Sequence, residues 1–185
     1  MRKVIVSNLM TLDGFFAGPA GELDWFVWDV EMAEYMKEQL GALDTILFGR
    51  VTYQMMADYW PTARSPEEDP AIIEAMNTLP KIVFSTTLAK TEWQNSRLVK
   101  NDIDEEVAKL KQEPGKDMVI FGSGSIVSAF TRSGLIDEYR IFINPVVLGL
   151  GMPMFTGLNQ RLKLQTLGTK TFPCGAVLLQ YRPVR

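Results

Sequence analysis

The spacing of apolar and polar residues changes several times along the chain between a strand period and a helix period. Short apolar runs predict strands over 3–10, 45–49, 81–85, 97–100 and 117–122, and a longer one running into a loop over 136–149. Apolar residues three or four apart predict helices over 29–40, 51–60, 71–79, 101–113 and 125–134. Polar or glycine-rich loops are predicted over 11–25 and 61–70, and an antiparallel strand pair over 161–172 and 176–184.

Strands and helices therefore alternate through residue 134, and strands dominate afterwards. This order predicts an α/β fold with a mostly parallel central sheet, flanking helices and antiparallel C-terminal strands. The length of 185 residues, with no linker or low-complexity segment, predicts a single domain over 1–185.

Charge and hydropathy restrict the function classes. The net charge of −3, with no basic run, argues against a nucleic-acid partner. No apolar run approaches the ~20 residues of a membrane span, and the N-terminus does not have the pattern of a signal peptide. We expect a cytoplasmic protein.

The chain has no histidine and one cysteine, Cys174. Disulfides, cysteine-rich zinc sites and nucleophiles activated by histidine are therefore excluded, and we expect no metal site. Any catalysis would depend on a carboxylate, a tyrosine, water or a cofactor. Cys174 itself is interpreted as a small, buried apolar residue.

Small and hydroxyl-bearing residues follow three of the predicted strands. Ligands in open α/β sheets bind at such carboxyl ends, where helix N-termini and glycines accommodate phosphate. Each segment alone could be an ordinary turn, cap or ion pair, but together they predict a dinucleotide site. The predicted 81–85 strand is followed by Thr86 and Thr87 and by no acidic residue until Glu92, and Arg50 adds a guanidinium suited to phosphate; these features favour NADPH over NADH. The residues are Gly49, Arg50, Thr52, Ser85, Thr86, Thr87, Gly122, Ser123, Gly124 and Ser125.

Five segments in order, "LMTLDGFFAG", "DTILFGRVTYQMMADYW", "KIVFSTTL", "VIFGSGSIVSAF" and "GLIDEYRIFINPVVLGLGMPMF", resemble the dihydrofolate reductase-like superfamily. Within it, the chain is similar to stand-alone relatives of the RibD C-terminal reductase domain. The resemblance implies a dihydrofolate reductase-like fold and NADPH phosphates bound at the three turns, including Ile126. It also implies that Leu9, Asp13 and Phe16 lie near the nicotinamide.

The resemblance implies an NADPH-dependent oxidoreductase acting on a small heterocyclic substrate. The nearest activity is that of 5-amino-6-(5-phosphoribosylamino)uracil reductase of riboflavin biosynthesis. Two alternatives stay open, a pterin or dihydrofolate reductase and a non-catalytic NADPH-binding module. For a pterin, Asp24, Asp29 and Glu31 are candidate carboxylates by position. The riboflavin enzyme tends to have a lysine after its Asp-Gly, where this chain has Phe15.

Aromatic residues cluster around the predicted mouth of the site. Trp25, Tyr53 and Trp60 could stack on a planar substrate, although core packing is the alternative for each. Asp13 is predicted to order a proton-donating water, with its pKa raised by an apolar surrounding, or else to cap the turn at Gly14. The apolar C-terminal strands, together with the resemblance, predict a homodimer.

Overall fold

A computed structural model describes residues 1–65 and 68–184, in which ten strands and five helices occur. The strands are β1 (Val4–Thr11), β2 (Phe15–Ala17), β3 (Leu43–Gly49), β4 (Lys81–Phe84), β5 (Ser96–Val99), β6 (Asp117–Phe121), β7 (Glu138–Asn144), β8 (Met152–Pro153), β9 (Leu164–Thr171) and β10 (Val177–Pro183). The helices are α1 (Val30–Gly41), α2 (Arg50–Tyr59), α3 (Pro70–Thr78), α4 (Ile103–Gln112) and α5 (Gly124–Arg132). Pro66 and Glu67, in the predicted 61–70 loop, and Arg185 lie outside the described residues.

Eight strands form one sheet in the order β5-β4-β3-β6-β1-β7-β10-β9. The strands from β5 to β7 are parallel, whereas β10 runs antiparallel to β7 and β9 antiparallel to β10. The predicted α/β fold is thereby confirmed. β2 and β8 pair separately and were not predicted, because strands of three and two residues are too short to show a periodicity.

Helices cover both faces of the sheet. Val107 of α4 and Phe130 of α5 pack in the buried cluster on one face. Leu40 of α1, Tyr53 of α2 and Ile72 of α3 pack in the cluster on the other. Within the described residues, every helix is too short or too polar to span a membrane.

The path of the chain creates a crevice at the carboxyl ends of the strands. From β1 the chain moves outward to β3, β4 and β5, and it then returns to β6 and β7 through α4 and α5. β6 therefore lies between β3 and β1, where the strand order reverses. Ligands in open α/β sheets bind beyond the strand ends at such a point.

Lys81, the first residue of β4, is fully buried and stabilises the end of α3. Its ammonium group donates to the carbonyls of Asn77, Leu79 and Gln94 at 3.1, 2.8 and 3.4 Å. The same group lies 4.2 Å from the centre of the Trp93 ring. Burial lowers the pKa of Lys81 to about 8. These carbonyls and the ring favour the charged form, so the interaction is structural.

Candidate functional site

Two helix N-termini lie at neighbouring strand ends. α2 begins directly after β3, and two residues, Gly122 and Ser123, separate the end of β6 from the start of α5. The strands β3 and β6 pair with each other. The first N–H groups of a helix have no intrahelical acceptor, and the N-cap residues Gly49 and Ser123 provide no side-chain cap here. Helix dipoles add positive potential at the same point. This arrangement suits an anionic group such as a phosphate.

A hydrogen-bonded bridge holds the two helix starts together. The Ser123 N–H donates to the Thr52 hydroxyl at 2.9 Å, and the Ser123 hydroxyl accepts the Gly49 N–H at 3.0 Å. Both side chains are buried. Their hydroxyl oxygens therefore hold the two helix starts together, and the hydroxyl hydrogens of Thr52 and Ser123 stay predicted donors to the cofactor.

Asn8 of β1 fixes the turn after β6, and sequence reasoning missed it. Its Oδ1 accepts the Gly122 N–H at 2.6 Å, and its Nδ2 donates to the Gly122 carbonyl at 2.8 Å. The side chain is buried and also contacts the sulfur of Met154. The signal available in the sequence was an asparagine inside an otherwise apolar strand, where a buried amide needs partners.

The backbone of this turn is unusual. Gly122 has φ +60°, and Ser123 has φ +54°, which is uncommon for a residue with a Cβ. A Cβ at Gly122 would lie 3.0 Å from Cγ2 of Thr52, and one at Gly49 would lie 3.2 Å from Cγ1 of Ile126. Both glycines therefore allow the strand ends and helices to approach closely. The Ile126 side chain is itself buried in the core.

Phe16 lies over the N-terminus of α5. A Cβ added to Gly124 would lie 2.5 Å from Cε1 and 2.7 Å from Cζ of the Phe16 ring. The sequence prediction placed a pyrophosphate against Gly124, whereas the structure places this ring there. Phe16 belongs to β2, so the loop after β1 reaches the predicted phosphate turn. Leu9, also predicted near the nicotinamide, packs half-buried against the cluster of Phe142.

Arg50 and the hydroxyls after β4 lie on the outer side of the crevice. Arg50 is exposed, and its guanidinium donates to the side chain of Gln54 at 3.0 Å. The Ser85 hydroxyl accepts the N–H groups of Thr87 and Leu88, so it caps the turn after β4. The side chains of the predicted residues Thr86 and Thr87 are exposed.

Lys100 is a further cation at this edge that the sequence analysis did not select. The Ser85 N–H donates to the Val99 carbonyl at 3.0 Å, which keeps the ends of β4 and β5 together. Lys100 follows β5, is exposed, and with residues 101–105 lines a depression of about 440 Å³. The predicted fourth strand already ended in this lysine, so its position was available from the sequence.

The structure contradicts the predicted environment of Asp13. Its carboxylate is exposed and accepts the N–H groups of Gly149 at 2.7 Å and Leu148 at 3.3 Å. Hydrogen bonds from the Thr11 hydroxyl and from these N–H groups lower the pKa of Asp13 below its ordinary value. The expected rise was wrong, because the side chain is solvated and well supplied with donors. Asp13 links the loops after β1 and β7 rather than capping only the turn at Gly14.

Two of the three aromatic residues predicted at the mouth lie elsewhere. Tyr53 is 3% exposed, and its hydroxyl accepts the backbone N–H groups of Glu92 and Trp93. Trp60 packs at the far end of α2, about 15 Å from its start at a rise of 1.5 Å per residue. Core packing, the stated alternative, describes both. Trp25 remains half-buried in the loop before α1.

The three candidate pterin carboxylates differ in whether their oxygens already take part in hydrogen bonds or an ion pair. Asp29 caps α1 by accepting the Met32 N–H, and its other oxygen accepts the Cys174 N–H, both at 2.8 Å. These bonds lower the pKa of Asp29. Glu31 forms an ion pair of 3.0 Å with Lys170. Asp24 is exposed. Cys174 is half-buried against the same cluster as Leu9, and burial raises the pKa of its thiol.

The sheet order and the paired helix starts define a dihydrofolate reductase-like α/β protein. The chain belongs to the RibD C-terminal domain family, which matches residues 2–178. It is 39% identical over 181 residues to the Bacillus subtilis (strain 168) protein YyaP, covering 97% of this chain and 94% of YyaP.

Solved structures agree with this assignment. A putative riboflavin biosynthesis protein from Shewanella sp. PV-4 matches with a TM-score of 0.81 and 23% identity over 99% of both chains. Dihydrofolate reductase from Enterococcus faecalis, complexed with NADP(H), matches with a TM-score of 0.65 and 14% identity over 99% of this chain and 97% of that one. The fold is thus that of RibD-like and dihydrofolate reductase-like enzymes, and the resemblance stated from the sequence is confirmed.

Proposed function

We propose that this protein is an NADPH-dependent reductase of a small heterocyclic substrate. The observation that carries the proposal is the pair of helix N-termini at the point where the strand order reverses. The N–H groups of Arg50 and Val51 on α2, and of Gly124 and Ser125 on α5, would hold the cofactor phosphates. Phe16 would have to move away from Gly124 for a phosphate to reach α5.

Arg50 and the turn after β4 support NADPH rather than NADH. A 2′-phosphate needs cations and hydroxyl donors, whereas the 2′-OH of NADH is usually held by a carboxylate. Arg50, Thr86, Thr87 and Lys100 are exposed at this edge. The Arg50 guanidinium could exchange its bond to Gln54 for a charged phosphate oxygen, which is the stronger acceptor.

The bound cofactor would supply a hydride, and the substrate would gain that hydride and one proton while NADP⁺ forms. This chain would orient the two ligands and exclude water from the crevice. Asp13 is a poor proton donor at neutral pH, because hydrogen bonds lower its pKa. With no histidine in the chain, we assign the proton to solvent.

The family suggests 5-amino-6-(5-phosphoribosylamino)uracil as one candidate substrate. A pterin or dihydrofolate reductase is less well supported, because both Asp29 oxygens already accept backbone N–H groups and Glu31 pairs with Lys170. A protein that binds NADPH without turnover remains the non-enzymatic alternative.

We also propose a homodimer formed through β9. This eight-residue strand ends the sheet, with β10 as its neighbour, and Leu164 and Leu167 are 42% and 47% exposed. A long edge strand with apolar side chains is usually covered, and a second copy can pair with it antiparallel. Light scattering should give twice the chain mass, and Leu167→Lys should shift it toward the monomer. A monomer at micromolar concentration would contradict this.

The reductase proposal is tested by titrating NADPH and NADH against tryptophan fluorescence, followed by NADPH oxidation with a panel of pyrimidines, pterins and flavins. We expect tighter binding of NADPH and oxidation that depends on one substrate class. Binding without oxidation across the panel would favour the non-catalytic module. Failure to bind either nucleotide would reject the proposed function.

A further inference from the structure

The carboxyl ends of β1 and β7 differ in chemistry from the phosphate-suited turns. No lysine or arginine occurs from residue 4 to 36, and no charged residue of either sign occurs from 141 to 160. These ranges include the loops that follow β1 and β7. β1 separates β6 from β7 in the sheet, so the two surfaces are about 10 Å apart at the usual strand spacing. A substrate beside the cofactor would lie against these loops.

Several carboxylates of this region accept the protein's own donors, whereas Asp24 is exposed. Asp13 and Asp29 each accept two backbone N–H groups, and Glu31 pairs with Lys170. A carboxylate with its acceptor sites filled gains little by binding a cationic ring. Asp13 and Asp29 therefore hold the loops in place.

Apolar side chains contribute to the accessible surface of these loops. Phe26 and Trp28 are each 41% exposed, and Leu12 on the neighbouring loop is 68% exposed. The Val27 N–H, between the two aromatic residues, donates at 2.8 Å to Oδ1 of Asn144, which is fully buried at the end of β7. This hydrogen bond holds the segment with Phe26 and Trp28 at the end of β7, beside the proposed cofactor site.

We infer that the substrate of this site is a planar ring system without a phosphate group. The inference rests on the proposed function, because it concerns the second ligand of the same crevice. A phosphate placed against Leu12, Phe26 and Trp28 would lose water without gaining a cation from residues 4–36 or 141–160, whereas a planar ring would bury the exposed aromatic faces. The phosphoribosyl candidate suggested by the family is therefore disfavoured.

Riboflavin and FMN form a matched pair of probes, because they share one ring system and differ by a phosphate. Equilibrium dialysis with flavin fluorescence as the readout would measure both affinities, and excess NADP⁺ would be present to fill the phosphate turns. We expect riboflavin to bind at least about tenfold more tightly, the scale of one charged group left without a partner. Trp28→Ala should weaken riboflavin binding by about tenfold if the ring stacks on it. Val184→Ala, at an exposed apolar position after β10 that belongs to neither the crevice nor the proposed dimer contact, should leave binding unchanged.

FMN affinity equal to or above that of riboflavin would overturn the inference, and so would the absence of binding by both flavins. Equal effects of Trp28→Ala and Val184→Ala would also overturn it, since general surface hydrophobicity would then explain the binding. NADPH titrated alone reports on the proposed function separately. A protein that prefers riboflavin yet binds no nicotinamide nucleotide would refute the reductase and keep the ligand class.

Discussion

The carboxyl edge of the sheet has two halves with opposite chemistry. We call the ends of β3, β4 and β6, with the starts of α2 and α5, the donor half, and the ends of β1 and β7, with their loops, the apolar half. The donor half presents helix N–H groups and Arg50, and buried hydrogen bonds hold its backbone. The apolar half presents Leu12, Phe26 and Trp28.

This difference corresponds to the different needs of the two proposed ligands. Charged phosphates require fixed donors, so the donor half depends on backbone geometry that internal side chains maintain. A planar ring requires accessible apolar area, and in the apolar half the carboxylates of Asp13 and Asp29 are already occupied by backbone N–H groups. Asn8 lies in β1, between the halves, and supports the donor half from the other side. Substitutions that act on one half alone can therefore test the division.

The largest effect is expected for Asn8→Leu, which keeps the side-chain size but leaves the half-buried N–H and C=O of Gly122 without their partners on Asn8. The free energy of unfolding should fall by about 2–4 kcal/mol, since each unsatisfied buried group costs ~1–3 kcal/mol. Urea denaturation measures this, with Asn159→Leu as the exposed control. A loss no greater than the control's would mean that the Gly122 turn does not need Asn8.

Arg50→Ala should act on the donor half without changing stability. We expect NADPH affinity to fall by about 1.5–3 kcal/mol and NADH affinity to change little, the range for a lost charged hydrogen bond. Fluorescence titration with both nucleotides measures this, and Arg161→Ala, an exposed position, is the control. Equal losses for both nucleotides would assign Arg50 to the pyrophosphate instead of the 2′-phosphate.

Gly124→Ala tests the contact between the halves, because the new methyl group meets the Phe16 ring. Overpacking should cost about 1–2 kcal/mol of unfolding free energy. The cost should largely disappear in a Phe16→Ala background, which thermal or urea unfolding of all four proteins in the cycle would reveal. If the cost is the same in both backgrounds, the ring moves aside freely, and Gly124 serves only the phosphate.

The smallest effect is expected for Asp13→Asn. Turnover should change by less than about threefold, since a carboxylate with a lowered pKa is not the proton donor. A drop of about 100-fold or more, with folding and NADPH affinity intact, would restore the proton role.

The stability difference between wild type and Asp13→Asn should depend on pH. Because the folded pKa of Asp13 lies below its ordinary value of 3.8, its stabilisation is fully present above that value and is lost as pH falls through the folded pKa. The difference in melting temperature between wild type and Asp13→Asn should therefore shrink on acidification below about pH 4. A constant difference would show that ionisation of Asp13 does not matter.

Sequence patterns predicted every strand of the eight-stranded sheet and all five helices, with shifts at their ends. The strand predicted over 136–149 ends at Asn144, because the following Pro145 has no N–H for the ladder. Glycine and hydroxyl residues in the sequence marked the strand ends that form the donor half, because tight turns and helix starts favour these residue types locally. Periodicity could not show which aromatic rings face the crevice and which face the core. Tyr53 lies close to the N-terminus of α2, yet its ring packs in the core.

The sequence by itself determined the element order, the positions of the phosphate-suited turns and the charge-free segments, because each depends on neighbouring residues or on composition. Only the tertiary structure decided which polar groups remain free. Asn8 meets Gly122 across 114 positions, and Asp13 meets Gly149 across 136. The periodicity of apolar and polar residues indicates whether a side chain is buried, but it does not indicate which distant backbone group that side chain will contact. For that reason the polar partners within the site, unlike its location, were fixed by the packing of the sheet.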